Sequence, residues 1–512
     1  MTYTIFALVK SKLLGMKKVY VEGEINNIKV GMCQISLSDT VLEREDGTYS
    51  VKKNSPVILY DTSGPYGDSS LKTDSYSGLP HTRVTLYSRR KDIVRKNKDE
   101  NNESKRDIYH AREKKCITQL YYAKKRIITP EMEYVAIREN QQVESLGLKS
   151  YITPDFVRKE IAAGRAVIPA NINHLEVEPM IIGGRFFVKV NSNVLLGKQF
   201  TEDDYRKICR NFLLGVDTLM DLSRDDMLST SRNYLIRNSP VPIGTPPIYH
   251  ALAKAGGKVE NLSWDIFRNT LIEQLEQGVD FISVHAAMKR NHVKMASHRL
   301  TGIVSHAGLI LSEWMKVHKE ENFLNTHFRE ICEIAGNYDA VISLGSGLRP
   351  GSVYDANDSA HFAELAGMRE LVETAWKQYV QIMAEGPGHI PMNKIEPYMK
   401  EHRYLCKGIP FFSPGVVTSD LAAGHEHIAA AIGGAQMAWY GASLIGGLKS
   451  QAYITDAARM QGDLLGYRIA AHSADLAKGH PGAQVRDNAL SKARFEKREK
   501  DLIKLSLSTV RK

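Results

Sequence analysis

VDFISVHA (279–286), AVISLGSG (340–347) and VQIMAEGPG (380–388) decide the fold. Each is a short, near-continuous apolar run that ends in polar or turn-forming residues. Runs of this kind are strands buried on both faces, as in a parallel sheet covered by helices. Between them lie amphipathic stretches of helical length. Working outward, the same pattern recurs in RAVIPAN (165–171), FFVKVNSN (186–193), VDTLMDLS (216–223) and VPIGTPP (241–247). It continues in GIVSHAG (302–308), PFFSPG (410–415) and AQMAWYGAS (435–443). Ten runs exceed the eight strands of a barrel, so one or two are expected outside it or in another conformation.

The polar ends matter more than the count. Asn193, Asp221, Ser223, His285, Ser305, His306, Ser346, Glu385, His389 and Ser413 all follow apolar runs. In a (β/α)8 barrel the C-terminal strand ends and their loops build the active site. A doubly wound sheet gathers its ligand residues at one switch point instead. No G-x-G-x-x-G or P-loop follows an early strand. The expected fold is α/β: a central (β/α)8 barrel over 165–460, with an N-terminal α+β domain and a C-terminal helical segment. Residues 1–87 read as strand-rich, 88–116 as a charged, mobile connection, 117–164 as an ordered lead-in and 461–512 as helical.

Composition excludes several classes. The 512 residues are 43% hydrophobic and 25% charged, too apolar for a disordered chain. No run approaches about 18 consecutive apolar residues, so no membrane span is expected. The net charge of +10 sits in two polar segments, 88–115 and 484–512, each contributing +5. Both are poor in aromatic residues for base stacking, so they read as solvated segments and no nucleic-acid partner is expected. The first twenty residues hold only a weak apolar patch, Ile5 to Val9, and no A-x-A cleavage site. That reads as a cytoplasmic protein. The cysteines Cys33, Cys116, Cys209, Cys332 and Cys406 are scattered and never spaced as C-x-x-C. They read as small buried apolar residues.

Two motifs carry chemistry. LGSGLRPGS (344–352) is a Gly-rich turn with one cation, Arg349. Its backbone amides can approach an anion, and the guanidinium can grip it bidentately. The plainer reading is a tight turn with a surface arginine. EGPGH (385–389) sets a carboxylate and an imidazole on a stiff loop. Glu385 can orient an amine or act as a base, and His389 can ligate a metal. HEH (425–427) is only an i, i+2 histidine pair. H-E-x-x-H and G-x-S-x-G are absent, which removes support for a zincin or a serine hydrolase.

Longer motifs make the chain resemble the phosphomethylpyrimidine synthase family of thiamine biosynthesis, from about residue 18 to about residue 498. They include YDTSGPY (60–66), RIITPEMEYVAIREN (126–140), IPANINH (168–174) and RNSPVPIGTPPIY (237–249). SLGSGLRPGS (343–352), EGPGH and IAAHSADLAKGHPGAQVRDNALSKARFE (469–496) complete the series. The resemblance implies a homodimeric radical S-adenosylmethionine lyase. Such an enzyme converts aminoimidazole ribotide to hydroxymethylpyrimidine phosphate with S-adenosylmethionine and a 4Fe-4S iron–sulfur cluster. It implies substrate contacts at Asn193, Met220, Tyr249, His285, Ser305, Arg349 and Glu385. His306, Ala307, Ser346, Gly347, Leu348 and Phe412 stand at the adjoining substrate-site positions. Glu385 and His285 are the implied catalytic pair, and His389 an implied ligand of a divalent metal such as zinc.

Some positions depart from the family pattern. The family's C-x-x-C-x-x-x-x-C is absent from the 512 residues, and Tyr453 falls where a second metal histidine is expected. The family's Ser-Arg-Gly is Ser305-His306-Ala307, the acid of its Asp-Gly-Leu-Arg is Ser346, and a tyrosine is Phe412. The loop VLLGKQF (194–200) is shortened. These departures set a second expectation: a catalytically inactive homologue that binds a ribotide-like phosphate or a partner subunit.

Overall fold

A computed structural model describes residues 16–71, 73, 77–83, 90–96, 107–144, 147–225, 229–447 and 457–507. Its centre is a closed barrel of eight parallel strands. They are β1 (Lys189–Val194), β2 (Thr218–Asp221), β3 (Ile243–Thr245) and β4 (Phe281–Val284), then β5 (Val341–Leu344), β6 (Ile382–Glu385), β7 (Phe411–Pro414) and β8 (Leu444–Gly446). β8 pairs back onto β1, Leu444 against Lys189, and closes the ring.

Side chains alternate across the barrel wall, as the pleat requires. Met220, Phe281, Val341, Met383, Phe412 and Leu444 form one cluster inside the barrel. Their neighbours Leu219, Ile282, Ile342, Ile382, Phe411 and Ile445 belong to the core shared with the surrounding helices. The helices begin where the sequence can cap them. Thr201 and Asp204 form a capping box on Glu202–Leu214, which Gly215 ends at φ 90°. Ser263 caps Trp264–Gln277, and Asp358 caps Ser359–Lys377.

Three of the ten apolar runs are not barrel strands. Within RAVIPAN only Ala166–Val167 is extended, and it pairs antiparallel with Ile182–Gly183. Val167, Met180 and Ile182 join the inner cluster and plug the N-terminal end of the barrel. Asp280, just before β4, accepts from the Asn171 amide at 2.9 Å and pairs with His174 at 2.7 Å, which anchors the plug. GIVSHAG is a loop followed by a helix, His306–His318, because the Ser305 hydroxyl accepts from the Gly308 amide as an N-cap. AQMAWYGAS covers the last turns of the helix Glu426–Trp439, and β8 starts just after it.

The N-terminal sheet, Met16–Glu22, Lys29–Ile35 and Val57–Leu59, is antiparallel. Val30 and Met32 pack with Tyr134 of the helix Pro130–Glu144. Its other side meets the C-terminal helices, where Ile35, Val57 and Leu59 pack with Val485, Ala493 and Leu505. The charged stretch 88–116 differs from expectation at its described ends. Ile93–Lys96 and Ile108–Ala111 form an antiparallel pair, and Ile93 and Ala111 are buried with Ile117, Ile172 and Leu175. The few apolar residues of this ladder stand among many charged ones, which hides it from a composition reading. Residues 97–106 lie outside the described residues. Among the described residues, no helix is long and apolar enough to cross a membrane.

Candidate active site

The pleat that builds the barrel also lifts the polar residues into place. Above Phe281 on the inner face of β4 come Ser283 and then His285. Above Val341 on β5 come Ser343 and Gly345, and above Met383 on β6 comes Glu385. Apolar floor, hydroxyl layer and functional layer therefore follow from period-2 spacing alone.

Glu385 is buried, and the Ser343 hydroxyl donates to its Oε1 at 2.8 Å. Burial raises its carboxyl above the ordinary range, against the hydrogen bonds of Ser283 and Ser343 and the nearby Arg349 charge. Burial, with help from Arg349, lowers the His285 imidazole to about 3, so it is neutral at neutral pH. Its Nδ1 is buried and has no partner among the described residues. Asn322 fixes the backbone below it, donating to the carbonyls of His285 and Met288, each at 2.9 Å. Gly345 is required beside it: a Cβ there would lie 2.5 Å from Cε1 and 2.6 Å from both ring nitrogens.

Arg349 is the hub. Its charge acts on His285, Glu385 and Tyr249 together, and its Nη1 donates to the Ser346 carbonyl at 3.1 Å. Burial raises the Tyr249 phenol, against the charges of Arg349 and Arg224 and the Ala307 backbone. The Tyr249 ring packs 5.1 Å from the His306 ring, and the Arg224 guanidinium lies 5.3 Å from its centroid. Asn193, on β1, donates to the Gly447 carbonyl at 2.8 Å and accepts from Asn191 at 3.1 Å. Met220 and Phe412 belong to the apolar cluster inside the barrel and form its floor. Ser305 is buried as a helix cap, which spends its hydroxyl on the Gly308 amide.

The Gly-rich loop corrects one expectation. Its amides at Gly347 and Leu348 do not point at an open anion site. They donate to the carboxylate of Glu364, at 2.8 and 2.9 Å, and the Ser346 hydroxyl donates to it at 3.1 Å. Arg349 is the part of the motif that remains for a ligand. Glu364 was not among the sequence candidates. Its signal was there: it lies on the buried stripe of Ser359–Lys377 with Ala360 and Met368, four residues away on either side. Arg224 was missed as well.

His389 is half-buried, and its Nδ1 pairs with Asp420 at 2.8 Å. Asp420 also accepts from the Val353 amide at 3.0 Å. Among the described residues no three His, Cys, Asp or Glu side chains gather as a metal site. HEH adds none, since His427 leans toward Asp463 at 3.6 Å. Tyr453 lies outside the described residues. The five cysteines are apart and unpaired, and burial pushes every thiol up, away from the thiolate a cluster needs. These 512 residues do not supply three thiolates at one place, so the cysteines present do not fit the cluster.

A closed parallel barrel with its carboxylate, imidazole, phenol and guanidinium at the C-terminal mouth defines an enzyme-type (β/α)8 site. The comparisons with known proteins take this further. The chain belongs to the Radical SAM ThiC family, whose model matches residues 118–512, with a ThiC-associated domain over 12–94. This is the phosphomethylpyrimidine synthase family, of thiamine-pyrimidine synthesis by radical S-adenosylmethionine chemistry. Family membership implies S-adenosylmethionine and an iron–sulfur cluster in general. Among solved structures, a dihydropteroate synthase from Xanthomonas albilineans, in complex with indole-2-carboxylic acid and 6-chloroguanine, is similar at 13% identity. The match covers 58% of this chain and 98% of that one, with a TM-score of 0.32, and carries no argument about function.

Proposed function

We propose that the barrel mouth binds aminoimidazole ribotide, the substrate of hydroxymethylpyrimidine phosphate formation. The observation that supports this is the convergence of His285, Glu385 and Tyr249 on Arg349 at the ends of neighbouring strands. The guanidinium takes the phosphate, as a fixed cation with forked donors. The unpartnered Nδ1 of neutral His285 and the Glu385 carboxyl then face the aminoimidazole. Met220 and Phe412 give the ring an apolar floor. Asn193 and the Ser305-His306-Ala307 segment complete the wall. The chain is proposed to work as a cytoplasmic homodimer without nucleic acid. A zinc ion at His389 is not part of the proposal, for want of further ligands among the described residues.

Calorimetric titration of the purified chain with aminoimidazole ribotide tests the reading. Binding that falls about 10- to 100-fold in Arg349→Ala is expected, because a charged hydrogen-bonded pair is lost. Equal affinity of the two proteins would sink it. The separated cysteines favour a second reading, in which this polypeptide binds the ribotide without generating the radical. Anaerobic reconstitution with iron and sulfide counts separates the two. About four irons per chain supports the synthase, and none supports binding alone.

A further inference from the structure

We infer that Glu364 is a positioning residue for the ligand loop: its carboxylate takes the place of an anion inside the Gly-rich turn and so fixes the direction of Arg349. The inference rests on the proposed role of Arg349 in binding.

The geometry is specific. The two oxygens of one carboxylate receive the amides of Gly347 and Leu348 and the hydroxyl of Ser346. A Gly-rich turn presents successive amides as a concave anion site. Here that concavity is filled by the protein's own side chain, on the helix that follows the turn. From the other side, Arg299 donates to the Leu348 carbonyl at 2.7 Å, and Asp358 holds that guanidinium through two bonds of 2.7 Å. The loop is therefore pinned at consecutive peptides, and the next residue is Arg349. Arg349 in turn donates to Ser346, the residue whose hydroxyl Glu364 accepts from.

The clamp also reaches the other wall of the site. Gly308 touches the loop backbone so closely that a Cβ on it would lie 2.3 Å from the Gly347 carbonyl oxygen. Gly308 follows Ser305-His306-Ala307 in the first turn of its helix. One buried carboxylate thus sets the spacing between the guanidinium and the segment whose His306 ring packs 5.1 Å from Tyr249. A carboxylate spent on a structural cap alone would be interchangeable with any acceptor. One that aims Arg349 has a consequence for affinity that disappears when Arg349 is gone.

A double-mutant cycle reads this difference. Aminoimidazole ribotide binding is measured by calorimetry for the wild type, Glu364→Ala, Arg349→Ala and the double variant. Glu364→Gln is added as the near-isosteric variant, which keeps one acceptor and folds where the alanine form fails. The expected result is a loss of tenfold or more in Glu364→Ala, partial recovery in Glu364→Gln and less than a twofold further loss in the Arg349→Ala background. Equal losses in both backgrounds would overturn the inference. Hydrogen exchange of the peptide spanning 345–349, and phenylglyoxal modification of Arg349, are measured without ligand. Both are expected to speed up in Glu364→Ala and, less, in Glu364→Gln. Unchanged exchange and modification in both variants overturn the positioning role. Failure of the wild type to bind the ribotide, with exchange and modification responding as expected, overturns only the proposed function.

Discussion

Gly345→Ala is a small change with a computable consequence. The added methyl would stand 2.5 Å from Cε1 of His285 and 2.6 Å from Nδ1 and Nε2. Nearly equal distances to three ring atoms place it against the imidazole face. Ordinary carbon contacts begin near 3.5 Å, so the ring or the β5 backbone must move by about 1 Å. The ring has little freedom to yield, since Asn322 holds the carbonyls of His285 and Met288. Overpacking of this kind costs about 1–3 kcal/mol of stability. The functional effect is of the same size, since a displacement of about 1 Å at a positioned group costs on the order of 100-fold, or about 2.7 kcal/mol. Two measurements on one preparation decide the matter. Urea unfolding is expected to show the 1–3 kcal/mol loss, and calorimetry to show ribotide affinity reduced at least tenfold. Affinity unchanged beside the expected loss of stability would refute the placement of His285 against the ligand. Neither quantity changing would refute the packing of His285 on Gly345 itself.

Two further perturbations test the frame of the site. Burial raises the Asp339 carboxyl from 3.8 to about 8, despite a hydrogen bond from the Gln119 amide at 3.0 Å. The folded state then binds a proton that the unfolded state releases, so this stability is full below about pH 4 and is lost as pH rises toward 8. Asp339→Asn, at a φ of 55° that Asn tolerates, is expected to flatten that slope and to be more stable than the wild type at pH 8, as read from urea midpoints at pH 5, 6.5 and 8. A parallel slope in the two proteins would contradict it. Asn322→Ala strips a donor from two buried carbonyls after β4 and is expected to cost about 1–3 kcal/mol in the same unfolding assay. A change within about 0.5 kcal/mol would show that those carbonyls find other partners.

The barrel was legible because its strands are short and buried on both faces, which leaves continuous apolar runs in the sequence. Its polar mouth was legible for a related reason. An apolar strand that ends in Glu385 or His285 has a carboxylate or an imidazole where the wall meets the loops. What escaped the sequence has physical causes. In GIVSHAG the Ser305 cap wins over β propensity, because a hydroxyl that satisfies a helix amide competes with the ladder. In AQMAWYGAS small and aromatic residues serve a buried helix as well as a strand, and only the neighbouring Leu444–Gly446 completes the ring. The described ladder in 88–116 buries Ile93 and Ala111, two apolar residues among many charges. Glu364 stands on a buried helix stripe, but its partners, the Gly347 and Leu348 amides and the Ser346 hydroxyl, are not readable from the sequence pattern.

The charge states at the mouth follow from burial and have a consequence for what the site accepts. His285 stays neutral, and the Glu385 carboxyl is biased toward its neutral form. Burial favours the protonated Tyr249 phenol, and Arg349 supplies the guanidinium beside it. Among the described residues the site presents the Arg349 guanidinium, with Arg224 over the Tyr249 ring, beside groups that resist ionising. Such a site suits a ligand with one anionic group and a neutral, hydrogen-bonding ring. It disfavours a cationic ligand, which would meet both Arg349 and Arg224. None of these four groups depends on a cysteine or on His389. They are held by period-2 strand geometry, by Asn322 and Gly345, and by the loop that Glu364 pins. The recognition proposed for the mouth therefore uses none of the five cysteines. The ribotide affinity of this chain and its ability to hold iron are two independent measurements, and one does not predict the other.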